Sequence, residues 1–146
     1  MRKELLKEMN KQVANLGVAY VKFHNLHWNV IGNQFKPVHV YLEELYDELT
    51  AAFDEVAELV RINGELPVAR MSDFLLISDV KELDSKEIHF VEALKIALED
   101  LLLLKDQALV IRKLAGDEDL FGIVDSMESF VSNIDKQSWF IRTMLM

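Results

Sequence analysis

Apolar side chains recur every three or four residues along nearly the whole chain, and this spacing constrains the fold more than any other feature. It is the repeat of an α-helix that packs one face against a core, whereas a half-buried strand would alternate at every second residue. Glycine and proline, which interrupt helices, number only 5 and 2 among the 146 residues. The pattern therefore predicts an all-α protein, and its length is that of one domain, residues 1–146.

Interruptions of the pattern divide it into four long helices. Gly32-Asn33 ends the first helix, and Pro37 suits the first turn of the second, which ends at Asn63-Gly64. Gly116 closes the third helix, and we expect Asp117–Asp119 to form the first turn of the fourth, at the positive end of its dipole. The predicted core stripe of the first helix consists of Leu6, Met9, Val13, Leu16, Tyr20, Phe23, His27 and Val30.

The middle interruption, residues 65–84, is too long for a tight turn. It contains the apolar segment Phe74–Ile77, which predicts one or two helical turns. Asp84 with Glu87 resembles a capping box that opens the third helix. Two helical hairpins joined by a long middle crossover, with a short helix inside it, describe the ferritin-like form of the four-helix bundle.

Composition excludes several classes of function. The absence of cysteine excludes disulfides, thiolate metal sites and cysteine nucleophiles. The longest apolar run, Leu101–Leu104, is far shorter than the ~20 residues of a membrane helix. Met1–Lys3 leads into mixed charged and apolar residues without the layout of a signal peptide, so we expect a cytoplasmic protein with no membrane association. A net charge of −9 repels the negatively charged phosphate backbone of nucleic acids, so we expect no direct DNA binding.

Histidines and carboxylates in the first half of the chain suggest a metal site. The set comprises His24, His27, His39, Glu43, Asp54 and Glu58. Such sets suit iron, zinc or manganese, and those rich in carboxylates lean towards iron. Taken singly, each residue has a plainer explanation, because a lone histidine on an apolar stripe is more often a hydrogen-bonded core residue and a lone glutamate a surface acid.

The positions of four of these residues on the second helix favour a shared metal site over these plainer explanations. The helix carries His39, Glu43, Asp54 and Glu58. At about 100° per residue they fall within an arc of about 100°, roughly opposite the apolar stripe of the helix. They therefore face away from their own bundle. His39 and Asp54 are fifteen residues apart, about 22 Å along a helix, which one ion with ligands ~2 Å away cannot span.

A twofold axis through the second helix near Asp47 resolves this difficulty. His27 can reach His39 in the same chain, because the hairpin folded near Asn33 brings the two positions level. The axis would then set these histidines opposite the acids Asp54 and Glu58 of a second copy. The usual di-iron bundle instead carries Glu-x-x-His motifs within one chain. The residues three positions before the four histidines are Val21, His24, Lys36 and Lys86, so no such motif is present.

Several segments match a known family in the order and spacing of their residues. They are Val13–Leu16, Lys22–Val30, Glu43–Glu48, Asp54–Glu58 and the closing segment with Asp135, Lys136, Trp139, Ile141 and Arg142. They resemble the Dps family, the miniature ferritins named for a DNA-binding protein of starved bacteria, and the similarity covers nearly the whole chain. The resemblance implies a hollow homododecamer that oxidises Fe(II), preferentially with hydrogen peroxide. It also implies that the ferric mineral is kept inside, which protects the cell against oxidative stress.

The resemblance also implies roles for particular residues. The ferroxidase ligands would be His27, His39, Asp54 and Glu58, with Glu43 as an additional acid beside the second metal position. Iron is the metal implied, and other divalent ions such as Zn²⁺ could occupy the same site. Trp28 matches a tryptophan thought to handle oxidising equivalents, although interface packing explains it equally well. Asp117, Asp119 and Asp125 match acids of the threefold iron-entry pores, and capping or a plain surface position explains each of them as well.

Three departures from the family pattern are visible. Val40 replaces an acid common after the second histidine, Val38 replaces a leucine, and Gly64 stands alone where a glycine pair is common. None of them is a candidate ligand. The amino-terminal segment is short and not strongly basic, which puts the DNA binding of the family name in doubt. Two alternatives stay open: a nucleoid-binding structural protein with a secondary metal site, and a helical bundle without metal.

Overall fold

The computed structural model describes residues 1–146 and contains four long helices. They are α1 (Lys3–Asn29), α2 (Phe35–Ile62), α4 (Phe90–Asp117) and α5 (Phe121–Met144), and the short α3 (Met71–Ile77) lies in the crossover between α2 and α4. α1 packs against α2, α4 packs against α5, and contacts between α1 and α4 join the two hairpins. The predicted all-α four-helix bundle with a short crossover helix is confirmed. No helix combines the length and the apolar character needed to cross a bilayer.

The core lies between the inward faces of the four long helices. Its largest fully buried side chains include Phe23, Leu26, Leu42, Leu45, Leu94, Leu101, Leu104, Ile111 and Ile123. The apolar stripe predicted for α1 is wrong at two positions. Leu6 is only partly buried and its neighbour Leu5 is fully buried, and Tyr20 is exposed whereas its neighbour Ala19 is buried. The reason is that α1 contacts α2, α3 and α4, which makes its buried face broader than a single stripe.

The start of α4 differs from the prediction. The helix begins at Phe90 rather than at the expected capping box Asp84–Glu87, and its N-cap is His89, whose ring nitrogen accepts a backbone hydrogen bond of 3.3 Å from the first turn. The residues before it form a short strand, β2 (Ile88–His89), which pairs in parallel with β1 (Val30–Ile31). This pairing holds the chain extended just where the capping box would have needed a helical turn.

The turn between α4 and α5 also differs from the prediction. Asp117 is the last residue of α4 rather than part of the next helix, and α5 begins at Phe121 with no acid in its first turn. Asp119 adopts a left-handed conformation with φ of 57°, which a short polar side chain tolerates. The N–H of Leu120 then bonds the carbonyl of Ala115 at 2.9 Å, a common way for a helix to end. The helix therefore continues through Gly116.

Gly17 lies where α1 and α3 approach each other closely. A Cβ atom at this position would lie 2.7 Å from Cδ2 of Phe74, so a methyl group there would force the aromatic ring to move. The crossover is also held by Asn15, whose Oδ1 accepts hydrogen bonds from Ser78 Oγ at 3.0 Å and from the N–H of Asp79 at 2.8 Å. These contacts fix α3 against the first helix.

We expect Gly17→Ala to be less stable than the matched variant Gly116→Ala by about 1–3 kcal/mol in the free energy of unfolding, the usual cost of overpacking. Both positions are helical, so both substitutions gain helix propensity, but a Cβ at Gly116 meets nothing within 4 Å. Urea unfolding at one fixed protein concentration measures the difference. Equal stability of the two variants would show that the Phe74 ring moves aside with no measurable loss in the free energy of unfolding.

Candidate metal centre

The hairpin between α1 and α2 stacks the imidazole rings of His27 and His39. Their centroids are 3.8 Å apart and their planes differ by 12°. His27 lies in the last turn of α1 and His39 near the start of α2. Between them Gly32 has φ of 120°, a conformation that glycine adopts without strain and that lets the chain reverse. The two histidines are therefore level with each other, as the hairpin geometry predicted.

Each imidazole is held by the backbone of the other histidine. Nδ1 of His27 lies 2.6 Å from the carbonyl oxygen of His39, and Nδ1 of His39 lies 2.7 Å from that of His27. A carbonyl oxygen can only accept, so both Nδ1 atoms donate and the neutral rings keep a free lone pair on Nε2. This hydrogen bonding on the far side of the ring is how proteins orient imidazoles that bind metals.

Glu43 brings a carboxylate close to the imidazole of His27. It lies four residues after His39 on α2, and its Oε1 is 3.8 Å from Nε2 of His27. Two atoms at that separation can both bind one ion, because metal–ligand bonds of this kind are about 2.0–2.2 Å long. His27 is buried and Glu43 is exposed, so these ligand atoms meet at the surface of the chain. The donor set of imidazole nitrogens and carboxylate oxygens fits iron and related divalent ions.

Asp54 and Glu58 do not join this group within one chain. Both are exposed on α2, while Leu42, Leu49 and Val56 of the same helix are buried, which agrees with an acidic face turned away from the bundle. No three histidine, aspartate or glutamate side chains of one chain lie close enough together to hold a metal ion. We call His27, His39 and Glu43 the half-site. The contribution of Asp54 and Glu58 from a second chain stays a prediction.

Trp28 lies beside the half-site at the surface. Its side chain is 66% exposed, and its ring meets the edge of the His24 ring at a centroid distance of 5.5 Å. An exposed indole at this position is free to pack against a second chain, as tryptophans at interfaces do. Both interpretations of Trp28, as an electron donor and as an interface residue, stay predictions.

Tyr46 and His24 adjoin the half-site; His24 belongs to the candidate set predicted from the sequence, whereas Tyr46 was not assigned a role there. The Tyr46 hydroxyl donates to Oε1 of Glu43 at 3.2 Å, and the Tyr46 ring stacks on His24 at 3.8 Å. Burial raises the pKa of the Tyr46 hydroxyl and the hydrogen bond to Glu43 raises it further, so the phenol keeps the proton that it donates. Helical spacing could have found Tyr46, since it follows Glu43 by three positions on the same helix.

The three acids predicted to line an iron-entry pore are all exposed. Asp117 ends α4, Asp119 lies in the following turn, and Asp125 lies on α5. They are grouped at the turn between these helices, and Asp117 is 3.9 Å from the ammonium group of Lys113. A pore would require the same turn from other copies, and the pore function of these acids stays a prediction.

Comparison with known proteins places the chain among its relatives. The family model described as Ferritin-like domain matches residues 6–146. Antigen TpF1 of Treponema pallidum is 35% identical, covering 94% of this chain and 77% of its own length, and DNA protection during starvation protein 2 of Bacillus anthracis is 34% identical over 99% of both. The crystal structure of Dps from Staphylococcus aureus superposes with a TM-score of 0.93 at 32% identity, covering 99% of this chain and 97% of that one. Sequence and fold agree over nearly the full length, and the chain therefore belongs to the Dps family of ferritin-like proteins.

Proposed function

We propose that this protein oxidises Fe(II) at sites shared between two copies of the chain and stores the ferric product inside a hollow oligomer. The single observation that carries the proposal is the reciprocal hydrogen bonding of His27 and His39, which leaves the Nε2 atom of each ring free, with the Nε2 of His27 3.8 Å from the carboxylate of Glu43. Membership of the Dps family supports a role in iron storage and protection. A Dps protein from Vibrio cholerae with 26% identity and a TM-score of 0.93 is described as a member of a superfamily of diiron-carboxylate proteins.

A second copy would complete each half-site with Asp54 and Glu58. The exposure of both acids on α2 supports this, because an antiparallel α2 related by a twofold axis near Asp47 would bring them to the histidines. α3 carries exposed apolar side chains that the association of two chains would bury. Leu76 on this helix is 84% exposed. A largely apolar groove of about 460 Å³ runs between α1 and α3 on the same part of the surface. The resemblance to the Dps family further implies that such dimers assemble into a homododecamer.

The proposed chemistry uses iron as the substrate and hydrogen peroxide as the oxidant. Two Fe(II) ions held close together can deliver two electrons to one peroxide, which with two protons gives two water molecules and two Fe(III). This avoids the one-electron step that releases a hydroxyl radical. The imidazoles of His27 and His39 suit Fe(II), and the carboxylates stabilise Fe(III) and can bridge two ions. A net charge of −9 per chain, repeated in an oligomer, raises the local concentration of cations.

We expect His27→Ala and Asp54→Ala each to abolish tight iron binding while leaving the helical fold intact. Each removes one direct ligand, and the loss should exceed the 10–100-fold that changes beyond the ligands typically cause. The measurement is anaerobic titration with Fe(II), followed by addition of peroxide and detection of ferric absorbance. Glu55→Ala is the matched control, since it removes an exposed acid next to Asp54. Absence of a ferric signal from the unmodified protein would favour a helical bundle without metal.

A nucleoid-binding structural role is the second candidate. It is favoured by the names of relatives such as DNA protection during starvation protein 2 of Bacillus anthracis. Lys3, Lys7 and Lys11 lie within α1, and Lys11 pairs with the acid Asp79 at 3.3 Å, which reduces the positive charge available for a phosphate backbone. A gel-shift assay at low salt separates the two functions. Retention of DNA by the intact oligomer would promote the structural role.

A further inference from the structure

Glu43 is the most exposed member of the half-site, and one hydrogen bond restrains its carboxylate. A glutamate on a helix surface has three rotatable bonds, so its carboxylate would sample many positions without a partner. The partner here is the hydroxyl of Tyr46, which donates to Oε1 at 3.2 Å. The same oxygen faces Nε2 of His27 at 3.8 Å. A carboxylate oxygen has two lone pairs, so Oε1 can accept this hydrogen bond and bind an ion at the same time.

Tyr46 is itself held by two imidazole rings. Its ring stacks face to face on His24, with centroids 3.8 Å apart and planes differing by 20°. The ring of His27 meets it at 87° with centroids 5.3 Å apart. His24 is fixed in turn, because its Nδ1 donates to the carbonyl oxygen of Tyr20 at 2.6 Å. The hydroxyl of Tyr46 therefore has a defined position before any ligand arrives.

We propose that Tyr46 is a positioning residue that holds Glu43 in its metal-binding geometry, and that His24 holds Tyr46 in place. This inference rests on the proposed function, because Glu43 has to be a metal ligand for the contact to matter. Tyr46 acts through Glu43 and contributes no atom to the metal. Removing its hydroxyl frees the carboxylate without removing a ligand, and such changes typically cost 10–100-fold in metal affinity.

The test uses Tyr46→Phe in the assembled protein, with Co²⁺ as a probe that stays in one oxidation state. Phenylalanine keeps the ring and its stacking on His24 and removes only the hydroxyl. We expect Co²⁺ affinity to fall about 10–100-fold, with a changed visible absorption spectrum of the bound ion and an unchanged unfolding midpoint. Tyr20→Phe is the matched control, because the Tyr20 side chain makes no hydrogen bond to the half-site and its backbone carbonyl is retained. We expect its Co²⁺ affinity and spectrum to match those of the unmodified protein.

A double-variant comparison separates positioning from a general structural effect. In a Glu43→Ala background, Tyr46→Phe should have no further effect on Co²⁺ affinity, because Tyr46 acts only through the missing carboxylate. His24→Leu should weaken binding in the same direction as Tyr46→Phe, through loss of the stacked ring. Equal affinity of Tyr46→Phe and the unmodified protein, or an undiminished effect without Glu43, would overturn the positioning role. Failure of the unmodified protein to bind Co²⁺ would instead overturn the proposed metal site itself.

Discussion

Co-assembly of two inactive variants is expected to restore about a quarter of the metal sites. One variant lacks the histidines (His27→Ala with His39→Ala), and the other lacks the acids (Asp54→Ala with Glu58→Ala). Neither should bind metal tightly alone. In a mixed dimer, one site combines the two defective halves, while the other combines the intact histidines of one chain with the intact acids of its partner. Half of the dimers formed at random are mixed, and each has one working site of two.

The measurement is Co²⁺ or Fe(II) bound per chain after the two variants are unfolded together and reassembled. The same variants assembled separately and mixed without subunit exchange serve as the control and should bind no more than either alone. A second control mixes the unmodified chain with a chain lacking all four residues. Shared sites leave about a quarter of the full binding in that mixture, whereas self-sufficient chains leave about a half. No recovery in verified mixed oligomers would contradict the shared site.

Much of the half-site could be predicted because it depends on local geometry. The approach of His27 to His39 follows from two helices that reverse at Gly32-Asn33, and the rings indeed stack 3.8 Å apart. The outward direction of Asp54 and Glu58 follows from the angular repeat of a helix that buries its apolar stripe. Neither inference needed contacts between residues distant in the sequence. This is why spacing alone identified these residues as a group.

The features that could not be predicted depend on contacts between distant segments. α4 starts at Phe90 because the preceding residues Ile88–His89 pair with Val30–Ile31. No local sequence pattern predicts a parallel pairing between segments so far apart in the chain. The reciprocal hydrogen bonds of the two histidines depend on the register of the hairpin to within one residue. Lys22 lies in the middle of α1, and only the packed structure shows that it is buried.

A buried ion pair joins α1 to α4 in the interior of the bundle. Nζ of Lys22 lies 2.8 Å from Oδ2 of Asp100, and both side chains are less than a tenth exposed. Burial raises the pKa of Asp100, the positive charge of Lys22 opposes that rise, and the neighbouring Glu99 adds to it. Because the folded pKa is raised, the folded chain keeps the Asp100 proton to higher pH than the unfolded chain does. The contribution of this carboxyl to stability is therefore largest at low pH and is lost as pH rises through its folded pKa.

Lys22→Met is expected to lower the free energy of unfolding by about 3–5 kcal/mol at about pH 8, because it leaves the Asp100 carboxylate buried without a partner. Without Lys22 the pKa of Asp100 rises further, so the loss should shrink towards about pH 5 as the carboxyl takes up a proton. The double variant Lys22→Met with Asp100→Leu removes both charges and should recover the stability of the unmodified protein or exceed it. Urea unfolding at both pH values and one protein concentration measures these differences. A loss that is equal at both pH values, or a double variant no more stable than the single one, would show that Lys22 stabilises the bundle through the packing of its alkyl chain rather than through its charge.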